Sequence, residues 1–179
     1  MQYVSLLRGI NVGGHKRIKM ADLKELYSSL GFEEIVTYIQ SGNVVFTANK
    51  QDQDLLITSI EKAIYQRYGF EVSVQVREKN VFAEAIKRCP YSGSMLVDET
   101  QVLLCFLSSI PSQEACLELQ KYVKSPEQLV IDKDVVYLYC PNSYSNSKLG
   151  NNFIEKKLQV KATTRNWKSV CALQALMIA

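Results

Sequence analysis

An α+β fold with antiparallel sheets, built as two similar halves, is what the sequence predicts, and three observations predict it. The first 78 residues spell strand, helix, strand, strand, helix, strand. From Gln101 the order strand, helix, strand, strand, helix comes round again, without evident identity to the first pass. Between the two passes, the run CPYSGSMLVDET carries the clearest boundary residues of the chain, Pro90 and Gly93.

Each element has its own justification. Residues 2–7 (QYVSLL) are apolar, rich in β-formers and end at a glycine-rich loop, RGINVGGHKRI, as a strand feeding a loop does. From Met20 the period becomes helical: Met20, Leu23, Tyr27 and Leu30 share a face, and Gly31 supplies the stop. EEIVTYIQ and NVVFTA are short β-branched and aromatic runs joined through Ser41-Gly42, so a hairpin is expected. Asp52 to Tyr68 reads as a second helix, with Leu56, Ile60, Ala63, Ile64 and Tyr68 inward, acids in its first turn and Gly69 closing it. Glu71 to Arg77 alternates, with Val72, Val74 and Val76 on one face. This order is the ferredoxin-like split βαβ, an antiparallel sheet with both helices on one side.

The expected division is therefore 1–78 as one ferredoxin-like half (βαββαβ), 79–100 as a connector, and 101–179 as a second half with an extra C-terminal helix. The connector holds a short helix to about Arg88 and then a loop. In the second half QVLLCFL is a strand, and Ser112 to Val123 is a helix preceded by Pro111. EQLVID and VVYLYC are strands across a Lys133-Asp134 turn, Ser147 to Val160 is a helix, and Thr164 to Met177 is one helix more.

Composition narrows the function classes. The chain has 179 residues, of which 47% are hydrophobic and 22% charged, the balance of a globular domain that buries a core. Its net charge is only +3, but the charges are unevenly placed. Residues 1–19 hold Arg8, Lys16, Arg17 and Lys19 with no acid, and residues 151–179 hold Lys156, Lys157, Lys161, Arg165 and Lys168 against Glu155 alone. The two ends thus carry +8 together, and the other 131 residues −5. The five cysteines are an odd number without C-x-x-C spacing, so they read as small apolar fillers in a reducing compartment, and no metal site is expected. The apolar run at 2–7 is stopped by Arg8 without the features of a signal peptide, and no stretch is long and apolar enough to span a membrane. A cytoplasmic protein without a membrane partner is the expectation.

Four segments concentrate polar chemistry. The loop Arg8-Gly9-Ile10-Asn11-Val12-Gly13-Gly14-His15-Lys16-Arg17 places three glycines between a strand and a helix, where backbone N–H groups approach an anion closely. It is not a P-loop, because His15 occupies the lysine position and no Ser or Thr follows it, and a G-x-G-x-x-G fingerprint is absent. A plain turn whose glycines serve backbone geometry explains it equally well. The run Thr163-Thr164-Arg165-Asn166-Trp167 reads as a helix start with Thr164 at the N-cap and two bases, Arg165 and Lys168, but no acid, so something negative is expected nearby. Tyr38-Ile39-Gln40-Ser41-Gly42-Asn43 forms a polar hairpin tip, which a turn alone also explains. In Pro141 to Lys148, Ser145 or Ser147 is expected to cap the next helix.

LLRGINVGG, the lysine-to-methionine entry into the first helix, TYIQSGNVVF and TTRNW together resemble the bacterial family known as domain of unknown function 1697, over essentially the whole chain. The resemblance implies an α+β fold of ferredoxin-like halves and brings no activity, substrate or cofactor. It implies that three segments are the recurrent ones: Arg8, Gly9, Asn11, Gly13 and Gly14; Thr37, Tyr38, Ser41, Gly42 and Asn43; Thr164, Arg165, Asn166 and Trp167. Where the family leads one to expect an Asn-Pro-Phe-like turn the chain has Cys89-Pro90-Tyr91, which argues against a catalytic Cys89.

Catalytic arrangements fare poorly. His15 is the only histidine, on a glycine-flanked loop, and no acid falls inside the three recurrent segments. The sequence names no reaction and no cofactor. The leading expectation is that glycine-rich loop, hairpin tip and last helix N-terminus meet and bind an anionic small molecule or nucleotide. Arg8 and Arg165 would contact phosphate or carboxylate, with Lys16 adding charge and Asn11, Asn43 and Asn166 orienting the ligand. Gly13, Gly14, Tyr38, Ser41, Thr164 and Trp167 complete that expected site. The alternative is a structural or protein-interaction module in which these residues hold the two halves together. RNA binding is the third reading, since the RRM shares the βαββαβ order, but only Tyr3 and Phe46 are on offer as stacking rings.

Overall fold

The computed structural model describes residues 1–93 and 98–178. Residues 94–97 of the expected connector loop lie outside the described residues. The fold is α+β with two four-stranded antiparallel sheets. The chain divides into two compact units, Met1–Glu84 with Ala172–Ala179, and Ala85–Cys171.

In the first unit the order is β1 (Gln2–Leu7), α1 (Met20–Ser29), β2 (Glu33–Tyr38), β3 (Asn43–Thr47), α2 (Gln53–Tyr68) and β4 (Val74–Glu78). Helix α3 (Lys79–Lys87) follows directly and runs on into the second unit, which begins at Ala85. The sheet order of the first unit is β2-β3-β1-β4. Antiparallel neighbours arise because each strand–helix–strand crossover skips a place in the sheet. Asp52 caps α2 by accepting from the Asp54 amide, and Gly69 closes it at φ 75°. The core lies between the sheet and α1 and α2. Phe46 stacks on Phe32 at 4.6 Å and meets the Tyr27 ring edge-on at 5.4 Å. Ser5 Oγ and Tyr27 Oη hydrogen-bond at 2.7 Å inside this core, and burial pushes the Tyr27 phenol pKa up.

The rings offered for RNA stacking are part of that core. Tyr3 and Phe46 are both 0% exposed and stack on each other on the helix side of the sheet. An RRM reads RNA with rings exposed on its sheet, so these two rings cannot serve that purpose. On the other side of the sheet Val4, Leu6, Val45, Gln75 and Arg77 are buried as well.

The second unit repeats the plan: β5 (Val102–Leu107), α4 (Gln113–Gln120), β6 (Gln128–Asp132), β7 (Val135–Tyr139), α5 (Asn151–Leu158) and β8 (Ala162–Asn166). Its sheet order is β6-β7-β5-β8. The last helix, α6 (Trp167–Ile178), begins in this unit, but from Ala172 on it belongs to the first, so the second half expected over 101–179 ends at Cys171. Two further expectations need correction here. The run from Thr164 is not one helix: residues 162–166 pair antiparallel with β5, and helix begins only at Trp167. The helix expected from Ser147 begins at Asn151, after a 3-10 turn at Tyr144–Asn146. Ser147 instead accepts from the Leu149 amide, and Gly150 stands at the N-cap.

The correspondence between the units reaches individual hydrogen bonds. Leu7 N donates to Gly42 O and Leu107 N to Asp134 O, both at 2.8 Å; Arg8 N donates to Ser73 O and Ser108 N to Lys161 O, both at 2.9 Å. Glu61 accepts from the Val74 amide that opens β4, and Glu155 accepts from the Ala162 amide that opens β8. Arg77 and Arg165 occupy equivalent register positions, and each donates Nη1 to the carbonyl of the residue before it.

Candidate functional site

The glycine-rich loop is a small hairpin. The His15 amide donates to Val12 O at 2.9 Å, and the Asn11 amide to Lys16 O at 3.1 Å. Between them Gly13 and Gly14 have φ of 57° and 79°. Positive φ at both central residues is what a type I′ turn demands, so the pair of glycines has a backbone reason. Asn11 locks this hairpin in place. Its amide nitrogen donates to Ile18 O at 2.9 Å and to Gln40 O at 2.8 Å, while its oxygen accepts from the Ile18 amide at 2.8 Å. One side chain thereby ties the β1–α1 loop to the β2–β3 tip. Loop and tip, two of the three segments expected to meet, do meet within the first unit.

The tip has its own lock. Asn43 is fully buried and donates to Tyr38 O and to Ser41 Oγ, each at 3.0 Å. Gly42 sits so close to the loop that a Cβ there would lie 2.7 Å from Ile10 Cδ1 and 2.8 Å from Leu7 Cβ. Lys16 reaches across to Glu71 O at 2.7 Å. Arg8 and Tyr38 are half-buried beside this assembly.

A cleft of about 540 Å³ opens between loop, tip and the start of α1, lined by Asn11, Gly14, Arg17, Ile18, Lys19, Asp22 and Gln40. Among the described residues, the side chains of Arg17 and Lys19 make no ion pair and no hydrogen bond. They are exposed, on a stretch without acids. The second unit holds a larger cleft of about 950 Å³ where Lys121 and Lys157 face Glu114 and Glu118. There Glu118 takes both lysines, at 2.7 and 3.4 Å, which holds its carboxyl below its ordinary pKa. Of these two clefts, the smaller is the one with uncommitted cations.

The third segment serves differently from the expectation. Arg165 lies on β8, is 8% exposed, and is held down to a pKa of about 10 by burial, still charged at neutral pH. It is not in the first turn of a helix. Asn166, not Thr164, caps α6, its Oδ1 accepting from the Ser169 amide at 2.8 Å. Thr164 donates to Asn151 Oδ1 at 2.7 Å and receives the Tyr144 hydroxyl at 3.3 Å, joining β8 to the start of α5. Trp167 is the half-buried first residue of α6.

Sequence reasoning missed Arg17, Lys19, Asp22 and Gln40 as a set. The signal was present in the run of bases up to Lys19, but which base stays uncommitted depends on contacts made only in the fold, such as that of Lys16 with the Glu71 carbonyl. Among the described residues no group of three histidine, cysteine or acidic side chains is placed to hold a metal. No helix among them is long and apolar enough to cross a membrane. Cys89 is buried, and burial pushes its thiol pKa up, the opposite of an activated nucleophile.

Comparison with solved structures finds the conserved bacterial protein SP0830 from Streptococcus pneumoniae, at 22% identity and a TM-score of 0.77 over 98% of each chain. At that identity the likeness concerns the fold. No curated protein matches the chain. The model of the family described as protein of unknown function (DUF1697) matches residues 1–137, a stretch that contains both interlocked segments. By that match the chain belongs to the DUF1697 family.

Proposed function

We propose that the cleft of the first unit binds an anionic small molecule, with Arg17 and Lys19 as its cations. The observation that carries this reading is an internal comparison. The two units share one frame, yet 12 residues (8–19) join β1 to α1 where 5 residues (108–112) join β5 to α4. The β2–β3 turn likewise spends four residues where the β6–β7 turn spends two. The second unit closes the same frame without the additions; the longer loop buries Ile10 and Ile18 in the core, but its exposed residues are not needed for that closure. Both additions border the one cleft, and they carry Asn11, Gly13, Gly14, Arg17, Lys19 and Gln40. Two unpaired cations on a concave, rigidly locked surface favour an anion, and Arg17 offers it a bidentate fork.

A second reading, that motif residues serve the fold, is supported residue by residue. Asn11 and Asn43 direct their amides at main-chain carbonyls of the loop and tip. Asn11 and Asn43 are thus framework, and Arg17 and Lys19 are what the framework presents.

The test is a thermal-shift screen of phosphate esters, nucleotides and carboxylates. A ligand at about 100 times its Kd raises the midpoint by roughly 5–10 °C for a chain of this size. Arg17→Ala and Lys19→Ala are expected to keep the midpoint of the free protein and abolish most of that rise. An unchanged rise in both variants, or no rise with any anion, overturns the proposal.

A further inference from the structure

We infer that the ligand is a phosphate monoester bearing vicinal hydroxyls, its phosphate on Arg17 and Lys19 and its diol on Asp22; this deepens the anion-binding reading and rests on it. Among the described residues Asp22 is the one acid lining the cleft. It is half-buried, and its carboxylate accepts no hydrogen bond among the described residues. The cation beside it, Arg67, feels the Asp22 charge, but its hydrogen bonds go to the Asp22 main-chain carbonyl at 3.2 Å and to Glu25 at 3.1 Å.

A carboxylate in an anion cleft repels a bare anion and, being acceptor-only, asks for donors. A vicinal diol offers two hydroxyls to two carboxylate oxygens, the way an acid reads a ribose. Gln40 adds a donor and an acceptor beside it. The cleft volume of about 540 Å³ falls within the range of small-molecule sites and is more than a bare phosphate fills. A sugar phosphate and a nucleotide share this chemistry.

The experiment measures affinities of the full chain and of Asp22→Asn for adenosine 5′-monophosphate, its 2′-deoxy analogue, ribose 5-phosphate and inorganic phosphate. The wild type is expected to prefer the ribonucleotide over the deoxynucleotide by about tenfold, the worth of a hydrogen bond to a charged group. Asp22→Asn should erase that preference and bind inorganic phosphate more tightly than the wild type does. Ribose 5-phosphate binding as tightly as the nucleotide identifies a sugar-phosphate ligand; weaker binding identifies a nucleotide. Asn at position 22 keeps the side chain's shape, and an unchanged thermal midpoint confirms the fold. Equal affinity for the ribo- and deoxynucleotide overturns this inference while Arg17-dependent phosphate binding leaves the anion reading standing. No binding by any of the four ligands overturns both.

Discussion

Gly42 shows how a single residue joins the two loops around the cleft. At φ 79° it adopts a conformation that L side chains rarely take, and a Cβ would lie within 3.0 Å of both Leu7 and Ile10. Leu7 Cβ is fixed by the β1 backbone, so a side chain at 42 would force the tip away from the loop. Gly42→Ala is expected to cost about 2–4 kcal/mol, the sum of overpacking and of unfavourable φ. Denaturant unfolding reads that cost, and a loss below about 0.5 kcal/mol, the scale of a neutral surface change, would show that the tip moves freely. The Ser41-Gly42 turn was legible in the sequence, as glycine between two β-branched runs. The contact with Ile10 was not, because it spans 32 positions and depends on where β1 places its end. Arg17 and Lys19 illustrate the same limit. Their charge is legible, but that no acid among the described residues comes within ion-pair reach of their side chains is settled only by the fold.

At the scale of elements, the instructive case is the join between β8 and α6. Strand β8 reads Ala162-Thr163-Thr164-Arg165-Asn166, without the Val or Ile alternation that marked β4, and so the last stretch looks like uninterrupted helix. What makes it a strand is β5, whose residues 103–107 pair with it along its whole length. The available signal was the repeat itself, since a second half of this plan lacks its closing strand unless TTRN provides it. Helix α6 then starts where Asn166 turns its side chain onto the Ser169 amide. Asn166→Ala is expected to destabilise by about 1 kcal/mol and to speed exchange of the Ser169 amide. Thr164→Ala should leave that amide protected, because its hydroxyl serves Asn151 in α5. Hydrogen exchange of the Ser169 amide in the two variants distinguishes the caps, and the reverse pattern would restore Thr164 to the helix start.

On the scale of the whole molecule, the two units use one set of solutions for one folding problem. The first amide of each closing strand points away from its sheet partner and would be left without an acceptor. In both units a glutamate from the second helix supplies one, Glu61 to Val74 at 2.9 Å and Glu155 to Ala162 at 2.8 Å. The two glutamates belong to segments without evident sequence identity, which is why the order of elements was legible and this device was not. Each carboxylate bonds a partly buried amide, and losing such an acceptor costs about 1–2 kcal/mol, equivalent to roughly tenfold or more in local opening. Glu61→Ala is expected to speed exchange of the Val74 amide by that factor and leave Ala162 unaffected, and Glu155→Ala to do the converse. If only one amide responds to its own glutamate, the correspondence between the units ends at strand order. If both respond, the repeat extends to its hydrogen bonds, and the enlarged loops of the first unit are additions to a frame that is complete without them.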